Sequence, residues 1–246
     1  MKVNSILISQ PAPPEKSPYY DLERKFEVKL TFKQFIRVES LSTKELRAQK
    51  IFVPDFSAIV FTSRTSVDHF FTLCKELRAP INDELQYFCL SETIALYLQK
   101  YITYRKRKIH FSKLGQIDDL ATVMKKHNTE KFLMPVADVH KEDLSVFQKA
   151  KVSVTTAVFY RTVSAELSPA EVKQYDMLCI FTPAGVQSLF NNVPDYEQGN
   201  QQLAIFGPSA QAAAEAKGLR IDVKAPTEEC PSMPAALRDF LMKNNE

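Results

Sequence analysis

Ile59-Val60-Phe61-Thr62-Ser63-Arg64-Thr65-Ser66-Val67 is an apolar run that ends in hydroxyl residues, turns, and starts a helix. Leu178-Cys179-Ile180-Phe181-Thr182-Pro183-Ala184-Gly185-Val186 follows the same pattern in the last third of the chain. A second copy lies beyond each. Tyr87-Phe88-Cys89-Leu90-Ser91-Glu92-Thr93-Ile94-Ala95 aligns with Ala204-Ile205-Phe206-Gly207-Pro208-Ser209-Ala210-Gln211-Ala212, and the separations agree: 30 residues from Ser63 to Thr93, 28 from Thr182 to Ala210. Strand, hydroxyl-bearing turn and helix, twice in succession and twice again, read as two copies of one βαβα unit. The sequence therefore predicts an α/β protein of two similar lobes, with its working surface in the cleft between them.

Outward from these segments, short apolar runs alternate with longer amphipathic stretches, as in βα units around a parallel sheet. Strands are expected at 5–9, 28–32, 58–62, 86–90, 108–111, 131–135, 151–160, 177–181, 203–206 and 220–223. Helices are expected at 66–77, 92–101, 117–127, 141–149, 185–191, 209–217 and 233–243, the last capped by Ser232 with a proline in its first turn. The first strand precedes the first repeat by about fifty residues, and extended stretches at 32–39 and 157–163 flank that repeat. The economical arrangement is a discontinuous lobe, 1–35 plus 164–246, with 40–157 inserted as the other lobe and 36–39 and 158–163 as hinge strands.

Composition narrows the function classes. The 246 residues are 45% apolar and 25% charged, an ordinary globular mix. There is no run of about 18 apolar residues to span a membrane, and the N-terminal apolar stretch is too short for a signal peptide; the expected location is the cytoplasm. Cys74, Cys89, Cys179 and Cys230 are widely spaced, with no CxxC or Cys/His cluster. Three of them sit in apolar surroundings, where a thiol behaves as a small hydrophobe; disulfides and metal ligation are not expected. The net charge of +3 is too small to imply nucleic acid. The basic run Arg105-Lys106-Arg107-Lys108 has no recognised nucleic-acid motif beside it and reads as a solvated surface. With five glycines in all and no GxGxxG, Walker motif or GxSxG, a glycine-cradled nucleotide is not expected. Asp118-Asp119 and Glu228-Glu229 read as solvated pairs at element edges.

Parallel sheets bind ligands at the carboxyl ends of their strands, where helix N-termini present free N–H groups. Thr62, Ser63, Thr65, Ser66, Ser91, Thr93, Thr182 and Ser209 all fall there. Each hydroxyl also has a plainer reading as a helix cap; matched sets in two lobes favour an anion-binding cleft. Tyr160, followed by Arg161 and Thr162, has a packing reading, but on a hinge strand its phenol could serve a cleft ligand as acid or hydrogen-bond donor.

Taken in order, Phe61-Thr62-Ser63-Arg64-Thr65-Ser66-Val67, Ala157-Val158-Phe159-Tyr160-Arg161-Thr162, Phe181-Thr182-Pro183-Ala184-Gly185-Val186 and Phe206-Gly207-Pro208-Ser209 resemble the uroporphyrinogen-III synthase family over nearly the whole chain. Ala225-Pro226-Thr227 with Ser232-Met233 resembles its closing segment. The resemblance implies two flavodoxin-like lobes with parallel sheets, joined by a two-stranded linker, the first strand belonging to the C-terminal lobe. It implies a hydro-lyase that works without metal or organic cofactor. That enzyme converts hydroxymethylbilane, a linear tetrapyrrole with eight carboxylates, to uroporphyrinogen III with loss of water and inversion of ring D. By the same resemblance Tyr160 assists hydroxyl loss, and Ser63, Arg64, Thr93, Lys141, Thr182 and Ser209 bind substrate, Lys141 standing where many members place a basic residue. The expected partner is the substrate alone, with a monomeric chain. Departures from the family's pattern fall at Gln10, where many members have arginine, at Leu90 in place of glycine, and at Ala210 in place of threonine. They leave room for an alternative, a catalytically silent two-lobed tetrapyrrole-binding or regulatory protein.

Overall fold

The computed structural model describes residues 2–139 and 144–245. Along the chain, β1 (Ser5–Ile8) leads to α1 (Pro18–Phe26), β2 (Lys29–Phe32) and β3 (Ile36–Ser40). Then come α2 (Thr43–Ala48), β4 (Ala58–Phe61), α3 (Arg64–Leu77), β5 (Gln86–Cys89) and α4 (Glu92–Tyr97). After β6 (Ile109–Phe111), α5 (Ile117–Lys125), β7 (Phe132–Ala137) and α6 (Ser145–Lys149), the long β8 (Val154–Ser164) follows. The chain closes with α7 (Pro169–Lys173), β9 (Met177–Ile180), α8 (Pro183–Asn192), β10 (Gln202–Phe206), α9 (Pro208–Ala216), β11 (Val223–Ala225) and α10 (Met233–Asn245). Among the described residues, no helix is long and apolar enough to cross a membrane.

Two compact units result: a split unit of residues 1–37 and 163–246, and a continuous unit of residues 38–162. The split unit holds a five-stranded sheet in the order β11-β10-β9-β1-β2. Numbered along its own chain this is 2-1-3-4-5, the flavodoxin-like doubly wound order. The continuous unit's sheet runs β3-β8-β7-β4-β5-β6. Its run from β8 to β6 fills the same five places, but the two strands standing where β2 and β1 stand elsewhere, β8 and β7, come last in sequence. The two sheets share one layout, circularly permuted. Neighbours from β1 to β11 in the first sheet, and from β4 to β8 in the second, pair in parallel.

Both faces of each sheet are covered, so the strands read as unbroken apolar runs. In the split unit, Ile6, Ile8, Met177 and Cys179 pack with residues of α1 and α10 on one face. Leu7, Leu178, Ile180 and Ile205 pack with residues of α8 and α9 on the other. In the continuous unit, Ile59, Phe61, Tyr87 and Cys89 face α3, while Ala58, Val60, Phe88 and Met134 face α5. Cys74, Cys89 and Cys179 are buried, and all four cysteines are free thiols.

Several expectations need correction. Periodicity does not reveal three short helices, α1, α2 and α7, which each begin on a serine that accepts from a helical N–H: Ser17, Ser42 and Ser168. The stretch 32–39 is not one extended strand: β2 and β3 lie in different sheets. The last strand starts at Val223 rather than 220: Asp222 N–H still donates to the Leu203 carbonyl at 2.9 Å, but the return bond from Leu203 N–H goes to the Asp222 carboxylate at 2.8 Å, which also receives Arg220 Nε at 2.7 Å. β8 starts at Val154 because Lys151 takes a left-handed conformation (φ 58°) closing α6. The basic run is not wholly solvated: Lys108 is 7% exposed, donates to the Asp83 carbonyl and pairs with Glu84 at 2.8 Å.

The internal repeat also shifts by one residue. Phe61 stands opposite Cys89, and Ile180 opposite Ile205. If Phe61 matches Ile180, then Cys89 matches Ile205, Ser91 matches Gly207, and Thr93 matches Ser209. Ser91 and Gly207 are indeed the N-caps of α4 and α9. A one-residue slip leaves composition almost unchanged while moving every side chain to the opposite face, which is why alignment of apolar runs missed it.

Candidate functional site

The carboxyl edge of the continuous unit begins where β4 ends. Ser63 caps α3: its Oγ accepts the Ser66 N–H at 3.0 Å, and Ser66 Oγ donates to the Ser63 carbonyl at 2.7 Å. The first helical amides, those of Arg64 and Thr65, have no carbonyl behind them to bond. Arg64 is exposed, with its guanidinium carbon 5.3 Å from the centre of the Tyr97 ring. On the next strand Leu90 N–H binds the Phe61 carbonyl at 2.9 Å, which sets the Ser91 cap beside Ser63. Thr93, exposed, holds its hydroxyl 2.8 Å from Ser91 Oγ. Behind Arg64, Asp68 receives the Tyr97 hydroxyl at 2.9 Å, the Tyr101 hydroxyl, and Lys100 Nζ at 2.8 Å. Burial opposes the ionised form of Asp68, but these bonds outweigh it and hold its pKa below the usual value.

Tyr160 comes to the same edge through an irregular ladder. β7 and β8 pair in register from Phe132 with Val154 to Val136 with Val158; the register then slips, so that Ala137 faces Tyr160. Successive strand residues ordinarily point to opposite faces. Here both Phe159 and Tyr160 lie against α3, Phe159 with its ring 5.6 Å from Phe70 and Tyr160 stacked on His69 at 5.0 Å and 17°. A bulge that re-aims a side chain in this way is a common device beside binding sites. His69 Nδ1 lies 2.6 Å from Ser40 Oγ on β3. Burial lowers the His69 pKa, with Asp68 acting in the opposite direction. Next along β8, Arg161 is held by Glu39 at 3.0 Å and Glu45 at 2.7 Å.

In the split unit the corresponding edge carries Ser9 and Gln10 after β1, Lys33 after β2, Thr182 after β9 and Ser209 after β10. Thr182 Oγ1 accepts the Gly185 N–H at 3.0 Å, capping α8. Gly207 caps α9 without a side chain, at φ +86°, and Ser209 lies exposed two residues into that helix. Lys33, whose N–H binds the Ile8 carbonyl at 3.0 Å, has its amine neutralised by both Glu171 oxygens at 2.6 Å.

Of the residues singled out in the sequence, Ser63, Arg64, Thr93 and Tyr160 therefore share one edge of the continuous unit, and Thr182 and Ser209 one edge of the split unit. Lys141 lies outside the described residues. Sequence reasoning missed His69 and Ser40, because no local spacing links them to a tyrosine 91 and 120 residues further on. Among the described residues, no three His, Cys, Asp or Glu side chains converge as metal ligands would.

Residues 34–235 match the family model described as uroporphyrinogen-III synthase HemD. No curated protein sequence is significantly similar to the chain. Among solved structures, a uroporphyrinogen-III synthetase from Helicobacter pylori superposes with a TM-score of 0.54 at 16% identity, over 99% of this chain and 100% of that one. A mutant uroporphyrinogen III synthase from Thermus thermophilus gives 0.45 at 13% identity, with 96% of each chain covered.

Proposed function

The chain belongs to the uroporphyrinogen-III synthase family, hydro-lyases of tetrapyrrole and heme biosynthesis, and we infer that it cyclises hydroxymethylbilane to uroporphyrinogen III with loss of water and inversion of ring D. The observation that carries this reading is the family match across residues 34–235, a span containing every candidate site residue. We assign 1–35 plus 164–246 to a discontinuous lobe, 40–157 to an inserted lobe, and 36–39 and 158–163 to connecting strands. In support, the compact units divide at 37/38 and 162/163, inside or beside those strands.

The substrate's carboxylates need donors. Ser63 and Thr182 spend a lone pair each on a helix N–H, so their hydroxyl protons are what they can offer to an anion. Thr93 and Ser209, at matching helical positions, and the unbonded first amides of α3 add further donors. Arg64 and Lys141 supply positive charge. Tyr160 is the proton donor: its phenol proton passes to the leaving hydroxyl oxygen, the C–O bond breaks, and water departs from an azafulvene cation. Ring closure releases a proton, which restores the phenol. The rest of the task is to hold the chain folded so that closure with inversion outruns simple closure. The enzyme acts as a monomer in the cytoplasm on this reading.

The test supplies hydroxymethylbilane generated in situ and identifies the uroporphyrinogen isomer formed. Type III product is expected. Type I product alone, the spontaneous isomer, would leave a silent binding protein as the description of this chain.

A further inference from the structure

We propose that His69, tethered by Ser40, is a positioning residue that fixes the plane in which the Tyr160 phenol meets the leaving hydroxyl. The proposal rests on the reading of Tyr160 as proton donor.

Three observations converge on it. The His69 and Tyr160 rings are nearly parallel, 17° apart, with centroids at 5.0 Å. Offset stacking of that kind restricts the tyrosine's ring rotation as well as adding contact. His69 is itself fixed at its other edge, where Nδ1 meets Ser40 Oγ at 2.6 Å. Ser40 belongs to β3, the strand beside β8, and Leu41 N–H binds the Phe159 carbonyl at 2.9 Å, so the tether comes from the strand alongside Phe159 and Tyr160. The extra residue in β8, opposite the Val136–Ala137 step of β7, is what turns Tyr160 toward α3 and into this stack. Three elements, α3, β3 and β8, thus hold one phenol. Burial keeps the imidazole toward its neutral form, despite Asp68 beside it. A neutral ring suits a site where the substrate becomes cationic, because an imidazolium there would oppose the developing charge.

Steady-state kinetics on the full chain with hydroxymethylbilane made in situ test the proposal, each variant being checked by thermal unfolding. His69→Ala is expected to lower kcat on the order of tenfold, since displacing a reacting group by a fraction of an ångström has effects of this size, and to leave KM unchanged. His69→Phe keeps a stacked ring and restores most of the loss. In a Tyr160→Phe background, His69→Ala brings no further loss, because the group it positions has gone. Ser40→Ala removes only the tether, lowers kcat by a smaller factor, and decides the matter alone if His69→Ala does not fold. Wild-type kcat in the folded His69→Ala variant overturns the proposal, as does a full additional loss in the Tyr160→Phe background. Wild-type turnover by Tyr160→Phe itself is a different failure: the proton-donor reading falls, and the positioning role with it.

Discussion

Gly185 shows how tightly one residue can be specified by its neighbours. A Cβ there would stand 2.9 Å from Ile180 Cγ2 and 3.3 Å from Thr182 Oγ1, so the bare Cα is what lets the Thr182 cap reach its N–H. Gly185→Ala is expected to destabilise the protein by about 1–3 kcal/mol, as overpacking does. Thr182→Ala loses the cap at about 1 kcal/mol. Because both changes act on one contact, the double variant should cost less than the sum of the two in thermal denaturation. Thr182→Ser retains the cap and should leave both stability and KM near wild type, whereas Thr182→Ala should also raise KM if the hydroxyl binds a carboxylate. Arg64 is different in kind. It is exposed at the first helical position of α3, so Arg64→Ala should raise KM while leaving the melting temperature within a degree or two of wild type; unchanged KM would remove it from the substrate's contacts. Cysteine chemistry is not part of this picture: burial pushes the Cys74 and Cys89 thiols up to about 12, so neither is a nucleophile near neutral pH.

Among the elements, β6 and α5 carry a built-in sensitivity to acid. His110 on β6 and His127, just beyond α5, have ring centroids 4.3 Å apart, and Phe88 stacks on His110 at 4.7 Å. Burial first, then His127, lowers the His110 pKa from 6.5, while Glu130 opposes. The unfolded chain therefore takes up this proton more readily than the folded one, so the stabilisation is present above pH 6.5 and is lost as pH falls through it. His69 has the same sign. The melting temperature should fall between about pH 7 and pH 5, and His110→Phe should make that fall shallower; an unaltered slope would show that this pair does not report on pH. What could be read in advance also divides at this scale. The β4–α3 and β9–α8 units were legible because a strand, a hydroxyl cap and an amphipathic helix each leave a local mark. α2 and α7 are too short for periodicity, and only their Ser-x-x-Glu capping boxes announce them. The bulge in β8 leaves no mark at all, since it arises from pairing with β7, and the stack of His69 on Tyr160 depends on that bulge. The order of family motifs pointed to Tyr160, but its surroundings needed the fold.

At the scale of the whole molecule the two units differ in how they can be built. The continuous unit contains both of its core clusters within 38–162, and this fragment, expressed alone, should fold cooperatively by circular dichroism and chemical denaturation. The 163–246 fragment should not, because it lacks β1, an internal strand of its sheet, together with β2 and the α1 helix that packs with α10. Adding 1–37 in trans should recover structure, and a folded 163–246 fragment would contradict this account of the split core. In the cell, the same arrangement becomes a matter of timing. Ile6 pairs with Met177, so at ribosomal rates of about 5–20 residues per second the nascent Ile6-Leu7-Ile8 segment waits roughly ten to thirty seconds for its partner strand. During that interval β2 can already cover one edge of this apolar strand, but the edge that β9 will occupy stays open, while the continuous unit can already be complete. Chaperone capture of residues 1–40, and sensitivity of yield to translation speed, are the expected costs of pairing a strand with a partner made about 170 residues later.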